Sequence, residues 1–226
     1  MFPGWKEADE ALKNIEVQGH ENNQPVTIIG FAEGLTCVGI GTDAAVFRFD
    51  QIPNYVFKVY SPKALKKKEV EKDVYECLKW SCFFPQYYGA GSNYIVLSFE
   101  QGITLYDCLL QGIPISDQVI QDVEEAREFV RSRGLNPRDI HLKNIILQDG
   151  RGKIIDVSEY MKEGNDHRWE HLVWAYKNFY PLISGIQMPL WILETIKRWY
   201  FRIGSASLRT KNFSRRVSQL FFEGRK

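Results

Sequence analysis

No run of 18 or more apolar residues occurs in the 226-residue chain, which excludes a hydrophobic membrane-spanning helix. The opening residues, MFPGWKEADEALK, lack the basic-then-apolar order of a secretory signal, so a cytoplasmic protein with no membrane partner is expected. Cysteine is sparse. Cys37, Cys77, Cys82 and Cys108 follow no metal-ligand spacing, so no zinc motif is present and reduced thiols that pack or face solvent are expected. Internal repeats and low-complexity tracts are absent too, which leaves one large domain or two small lobes for a chain of this length.

What is present is an ordinary soluble composition, 44% hydrophobic and 25% charged, able to bury a sizeable core. The formal net charge of +1 hides an uneven distribution. From Lys197 to the end, nine basic residues face one acidic residue, Glu223; the remainder carries 20 basic against 27 acidic. Such a basic segment can touch nucleic acid, an acidic partner or the protein's own acidic surface, or form a solvated helix face.

The first hundred residues are rich in strand signals. QPVTIIGF, LTCVGI, AAVFRF and YVFKVY are short, β-branched or aromatic, and separated by Gly, Asp, Asn or Pro. SPKALKKKEVEKDVYECLKW reads as a helix, with Ser61 able to cap, Pro62 suited to the first turn, and Leu65, Val70, Val74 and Leu78 near helical spacing. FPQYYG and NYIVLSF read as two further strands. After Gly102 the pattern turns helical: ITLYDCLLQG is a short helix ended by Gly112. Ser116 can then cap a longer helix whose apolar face is Val119, Ile120, Val123, Ala126 and Val130. NIILQD and GKIIDVS flank a turn at Asp149-Gly150-Arg151-Gly152. From Asp166 onward the chain is helical and aromatic (Trp169, Trp174, Tyr176, Phe179, Tyr180, Trp191, Trp199), a pattern that suits core packing.

Five features, in order, carry chemistry. In GIGTDAAVF, Gly39 and Gly41 let the backbone approach phosphates closely, with Ala44 as a third small residue and Val46 after it. The stretch lies between two strands, which suits a phosphate-covering hairpin rather than a dinucleotide turn. Lys58, in the middle of the apolar strand YVFKVY, must snorkel or meet a fixed anion. Of the carboxylates in the next helix, Glu69, Glu71 and Glu76, the E-x-x-x-Y spacing to Tyr75 favours Glu71 as the group that positions Lys58. In GLNPRDIHLKNIIL, Asp139 can accept the proton of an attacking hydroxyl, and Asn144, at the start of a strand, can ligate Mg²⁺. Asp156, closing the run KIID, can bind the metal that bridges the phosphates.

In this order and spacing, residues 25 to 180 resemble the protein-kinase-like superfamily. The resemblance implies an α+β, two-lobed fold, with a β-rich N-lobe (about 1–99) carrying one long helix, a hinge (about 98–102) and a small helical C-lobe (about 103–226). Gly39, Gly41 and Ala44 match the glycine-rich loop, Lys58 the strand lysine, Glu71 the helix glutamate, Asp139 and Asn144 the catalytic loop, and Asp156 the aspartate of D-F-G. IVLSFEQGITL is similar to a hinge, in which Leu97 takes the gatekeeper place and Ser98 and Glu100 offer backbone hydrogen bonds to adenine.

The departures refine the resemblance. Pro137 stands where the family's structural His usually is. His141 resembles the D-x-H-x-x-N form of aminoglycoside- and choline-kinase-like enzymes, a place from which it can act on phosphate oxygens. Asp156-Val157-Ser158 resembles the I-D-x-S segment of RIO-type atypical kinases. Nine residues separate Asp156 from Asp166, with no A-P-E, too few for the usual peptide-binding platform. Asp166 or Arg168 is placed to brace the catalytic loop. His167 and His171, four apart, read as packing or surface residues rather than ligands.

The expectation is therefore a minimal, atypical bacterial-type serine/threonine kinase using ATP and Mg²⁺ on a protein acceptor. A small-molecule hydroxyl phosphotransferase and an ATP-binding regulatory module or ATPase switch are the alternatives.

Overall fold

The structure, a computed structural model, describes residues 4–203. Of the basic segment that begins at Lys197, residues 204 onward, including KNFSRRVSQLFF, lie outside the described residues. The described chain is α+β, its strands forming a five-stranded, a three-stranded and a two-stranded sheet, all antiparallel. It divides into two compact units. One holds the residues up to Gln101 with Val130–Leu135 and Asp156–Met161; the other holds Gly102–Phe129, Asn136–Ile155 and the chain from Lys162.

The first unit is built on β3 (Leu35–Ile40), β4 (Ala44–Phe49), β5 (Tyr55–Tyr60), β6 (Tyr87–Ala90) and β7 (Tyr94–Ser98), in the order β3-β4-β5-β7-β6. Strand alternation sends Ala45, Phe47, Phe49, Phe57, Val59, Tyr94 and Val96 to one face, where all are buried. That face is covered by a segment in which the sequence reading finds no element before Gln24. A 3₁₀ turn (Gly4–Ala8) and α1 (Asp9–Lys13) lead into β1 (Ile15–Gln18), which pairs with β2 (Thr27–Gly30). Trp5, Ala8, Leu12, Ile15 and Val17 from this segment join the same core. Truncating a fully buried phenylalanine of this cluster such as Phe57 to Ala would remove about 3–5 kcal/mol. Gly89 makes room for the cap: a Cβ there would lie 2.5 Å from the Trp5 ring.

The helix expected over Ser61–Trp80 is a 3₁₀ turn (Pro62–Ala64) followed by α2 (Leu65–Cys77). Ser61 is buried and its side chain makes no capping bond; its backbone N–H donates to the Asp43 carbonyl at 2.9 Å. The inward face of α2 also differs from the expected one. Leu65 and Val70 are exposed, whereas Lys68, Glu71, Val74, Tyr75 and Leu78 are buried. The reason is polar pairing: Lys68 Nζ donates to the carbonyls of Gly91 (2.8 Å) and Ser92 (3.1 Å), so a charged residue occupies an inward position that apolar periodicity passes over.

In the second unit, β8 (Ile103–Thr104), β9 (Ile145–Gln148) and β10 (Arg151–Ile154) form a sheet in the order β10-β9-β8. The short helix expected from Ile103 begins instead at Leu105: α3 (Leu105–Gln111) is capped by Thr104, whose hydroxyl accepts the Asp107 N–H at 3.0 Å, and ends at Gly112 with φ 70°. The turn between β9 and β10 is tighter than expected. Only Asp149 (φ 49°) and Gly150 (φ 79°) form it, an Asp-Gly pair suited to a two-residue hairpin.

Arg151 and Gly152 belong to β10 and are pinned to α4 (Asp117–Ser132). The buried Asp122 carboxylate accepts Arg151 Nη2 at 2.6 Å, Arg151 Nε at 2.9 Å and the Gly152 N–H at 2.8 Å. A Cβ on Gly152 would come within 3.0 Å of the Val119 carbonyl, so glycine permits this close approach.

Helix α5 (Arg168–Phe179) is fastened to α4 by Trp169 Nε1 on Glu124 (2.8 Å) and by Arg127 lying between Glu124 (3.0 Å) and Glu170 (2.5 Å). Of the expected core aromatics, Trp169, Phe179 and Tyr180 are buried, while Trp191, in α6 (Leu190–Ile203), is exposed. Among the described residues no helix is long and apolar enough to cross a membrane.

Candidate functional site

In the first unit, pairing register brings most of the expected nucleotide-facing residues to one sheet face. Gly39 lies opposite Val46, Val46 opposite Lys58, Lys58 opposite Ile95, and Val56 opposite Leu97. Residues directly opposite share a face, as do residues two apart, so Gly39, Ala44, Val46, Lys58 and Leu97 all lie on the side away from the aromatic core. Gly41 closes the β3–β4 hairpin by donating to the Ala44 carbonyl at 2.9 Å. Neither glycine has a positive φ, and a Cβ on Gly39 would meet nothing nearer than Val46 at 3.6 Å. The backbone therefore does not itself require glycine at position 39. At the hairpin tip, Asp43 takes Lys67 of α2 on both oxygens at 2.7 Å, tying the turn to the helix that carries Glu71.

Lys58 is the hub of this face. Its Nζ lies 2.6 Å from Glu71 Oε1 and 3.3 Å from Asp156 Oδ2. Glu71, 1% exposed, has its second oxygen occupied by the Tyr60 hydroxyl at 2.7 Å. Glu69 turns outward to Lys68 and Lys72, which leaves Glu71 as the carboxylate of α2 on Lys58. Burial alone would lower the Lys58 pKa, but the carboxylates of Asp156 and Glu71 outweigh it and raise it well above its ordinary value. Burial likewise pushes Glu71 up, against the pull of Lys58. For Asp156 burial works upward too, yet Lys58 and the Ser158 N–H, which donates to Oδ1 at 3.0 Å, win and lower its pKa. Lysine and Asp156 are thus held charged side by side, with the Asp156 side chain 33% exposed.

The hinge-like stretch is more constrained than its sequence suggests. The Ser98 N–H already donates to the Gln86 carbonyl at 2.8 Å, and the Phe99 N–H to the Asn54 carbonyl at 2.8 Å. The backbone N–H groups of Ser98 and Phe99 are therefore already spent on these carbonyls. The Ser98 hydroxyl is engaged as well: it accepts from the Gln86 N–H at 2.8 Å and donates to Glu100.

In the second unit, the NPRDIHLKN part of GLNPRDIHLKNIIL, residues 136–144, forms a loop in which Pro137 and Ile140 are buried while Asp139 and His141 are partly exposed. Asp139 has a positive φ of 54°, a conformation Asp tolerates better than most side chains. Its N–H donates to Asp166 Oδ2 at 2.8 Å, its carbonyl accepts Asn144 Nδ2 at 3.0 Å, and its Oδ1 accepts Arg168 Nη1. Both bracing candidates, Asp166 and Arg168, thus reach Asp139. His141 Nε2 stands 3.8 Å from Asp139 Oδ1, and its Nδ1 accepts the Lys143 N–H at 3.2 Å. Asn144 precedes β9 directly, and its carbonyl accepts the N–H of Ile155, the residue before Asp156, at 2.9 Å. Arg138 is fixed by the carbonyls of Glu163 and Gly164, and Asn136 by those of Lys162 and Gly164 at 2.7 Å each. His171 is buried and meets the Tyr200 hydroxyl at 3.2 Å, and His167 is exposed.

Two participants escape the sequence. Tyr60 ends a strand and reads as apolar filler, and Ser158 acts through a backbone N–H that its side chain does not announce.

A strand lysine held between two carboxylates on an α+β frame, and a loop aspartate braced by a following helix, are the marks of a kinase-like protein. No protein-family model matches the chain. It is 38% identical over 172 residues, 75% of its own length and 80% of the other's, to the Bacillus subtilis (strain 168) protein named "Putative serine/threonine-protein kinase YrzF". The chain belongs to the kinase-like family of that protein.

Proposed function

We propose that the chain is an ATP-dependent phosphotransferase of two-lobed, minimal kinase type that moves the γ-phosphoryl group of Mg-ATP to a serine or threonine hydroxyl of a protein. The observation that carries this reading is Lys58, an ammonium group held within a strand between Glu71 and Asp156. The name of the Bacillus relative supports a protein acceptor.

The residues suit the ligands. Asp156 is an anionic, partly exposed carboxylate, and Asn144 binds the Asp139 carbonyl through its nitrogen, so its oxygen is the end that would face a cation. Such hard oxygen donors match Mg²⁺, which when bound neutralises and aligns phosphate oxygens. Gly39, Gly41, Ala44 and Val46 would cover the nucleotide, Leu97 would line its base, and the Ser98 carbonyl with the Glu100 backbone would meet the adenine edge. Lys58 and His141 would act on phosphate oxygens. Asp139 would orient the acceptor hydroxyl and take its proton as the new oxygen–phosphorus bond forms. The bond from phosphorus to the β-bridging oxygen breaks, and its electron pair leaves with ADP. Most of the catalysis is positioning and charge neutralisation.

A small-molecule hydroxyl is the second acceptor class, favoured by His141 and by the nine residues between Asp156 and Asp166. Incubation with labelled Mg-ATP, alone, with casein and with a panel of small alcohols separates the readings. Label on protein that disappears in Asp139→Ala is the expected result. Label confined to small alcohols would overturn the protein-kinase reading, and ATP binding without any transfer would identify an ATP-binding switch instead.

A further inference from the structure

We infer that Arg168 is a positioning residue for Asp139, fixing the direction in which that carboxylate faces an acceptor hydroxyl. The inference rests on the phosphotransferase reading above. The Asp139 backbone is held at its positive φ by the Asp166 carboxylate on its N–H and the Asn144 amide on its carbonyl. Backbone bonds leave the carboxylate's own rotation undecided, because the terminal torsion of an aspartate is broad and roughly two-fold. A directional donor on one oxygen removes that freedom, and Arg168 Nη1 sits on Oδ1.

Arg168 is itself oriented. Its N–H donates to Asp166 Oδ1 at 3.1 Å, and its Nε lies 3.7 Å from Asp166 Oδ2, the oxygen that accepts the Asp139 N–H. Asp139, Asp166 and Arg168 therefore form a closed ring in which one carboxylate sets both the aspartate backbone and the guanidinium that grips its side chain. His141 Nε2 is 3.8 Å from the same oxygen, beyond hydrogen-bond reach of it. A guanidinium is planar and permanently charged, so it fixes a carboxylate at any working pH, which an imidazole does not. The Arg168–Asp139 pair is partly exposed, with side chains 36% and 29% accessible, so it adds little to stability and its purpose lies in orientation.

The test uses the full chain with labelled Mg-ATP and dephosphorylated casein. Arg168→Gln should lower kcat about 10- to 100-fold, the scale of a small misplacement of a reacting group. Its KM for Mg-ATP and its melting temperature should stay near those of the wild type. Arg168→Lys should recover a substantial part of the rate. In an Asp139→Asn background Arg168→Gln should cause no further loss, because Arg168 acts through Asp139. An unchanged kcat in Arg168→Gln overturns the inference. So does an equal loss in the Asp139→Asn background, or lost hydrogen-exchange protection at the Asp139 amide, which would make Arg168 a structural brace. Absence of transfer by the wild-type protein to casein and to the small alcohols alike overturns the phosphotransferase reading itself, and this inference with it.

Discussion

At the scale of single residues, a carboxylate shut away from water survives as an anion only if its oxygens are matched by donors, and Glu71 is matched on both sides. Removing one member of such a cluster leaves the others uncompensated. Glu71→Ala should destabilise the protein by about 3 kcal/mol, the scale of a broken buried ion pair, measured by urea denaturation. A cost below about 1 kcal/mol would mean that Lys58 is satisfied by Asp156 alone. The sequence singles out Glu71 from Glu69 and Glu76 only through its spacing to Tyr75. Tyr60 is illegible in sequence because its ring packs like any apolar residue, and only the hydroxyl, on a distant carboxylate, is specific. The donor already used at Ser98 is hidden for a related reason: backbone partners depend on which strands pair, not on side-chain identity.

At the scale of elements, Asp122 locks β10 to α4 with three donors from Arg151 and Gly152 and one from Gln118. Burial alone would raise its pKa, but the bonds from Arg151 and Gly152 outweigh that and lower it. A depressed carboxylate stabilises the fold above its unfolded pKa, near ~4, and that contribution fades as pH falls through the folded value. Asp122→Asn should therefore cost about 2 kcal/mol at pH 7 and progressively less below pH ~4, as read from denaturation curves at several pH values. A difference that does not change with pH would show that geometry alone, not charge, makes the lock.

The strands β3, β4 and β5 are legible end to end, because β-branched and aromatic runs bounded by Gly, Asp and Pro leave little choice. Helix α2 is legible as a helix but not by its inward face, since Lys68 and Glu71 are turned in by polar partners that no hydrophobic period records. β1, IEVQ, offers only two apolar residues between charged and polar ones, and β8 is two residues long, so neither stands out without its pairing strand.

At the scale of the whole molecule, the α+β class and the order of elements from β2 on, β8 apart, follow from the sequence, and the family is supported by the Bacillus relative. A ligand that binds only the folded chain stabilises it in proportion to the logarithm of its concentration over Kd, about 2.7 kcal/mol at a hundredfold excess. Mg-ATP should accordingly raise the melting temperature of the wild-type protein. Asp156→Ala should lose the Mg²⁺-dependent part of that shift and the Mg²⁺-dependent activity together. A shift that persists unchanged would place the metal on other residues.

The cap formed by Trp5, Ala8, Leu12, Ile15 and Val17 has a further consequence. These residues cover the aromatic face of the five-stranded sheet, so a shortened protein beginning at the first glycine-loop strand would present Phe47, Phe57 and Tyr94 to solvent. Such a face is a template for self-association, and solubility is thereby tied to the stretch of chain that carries none of the proposed chemistry.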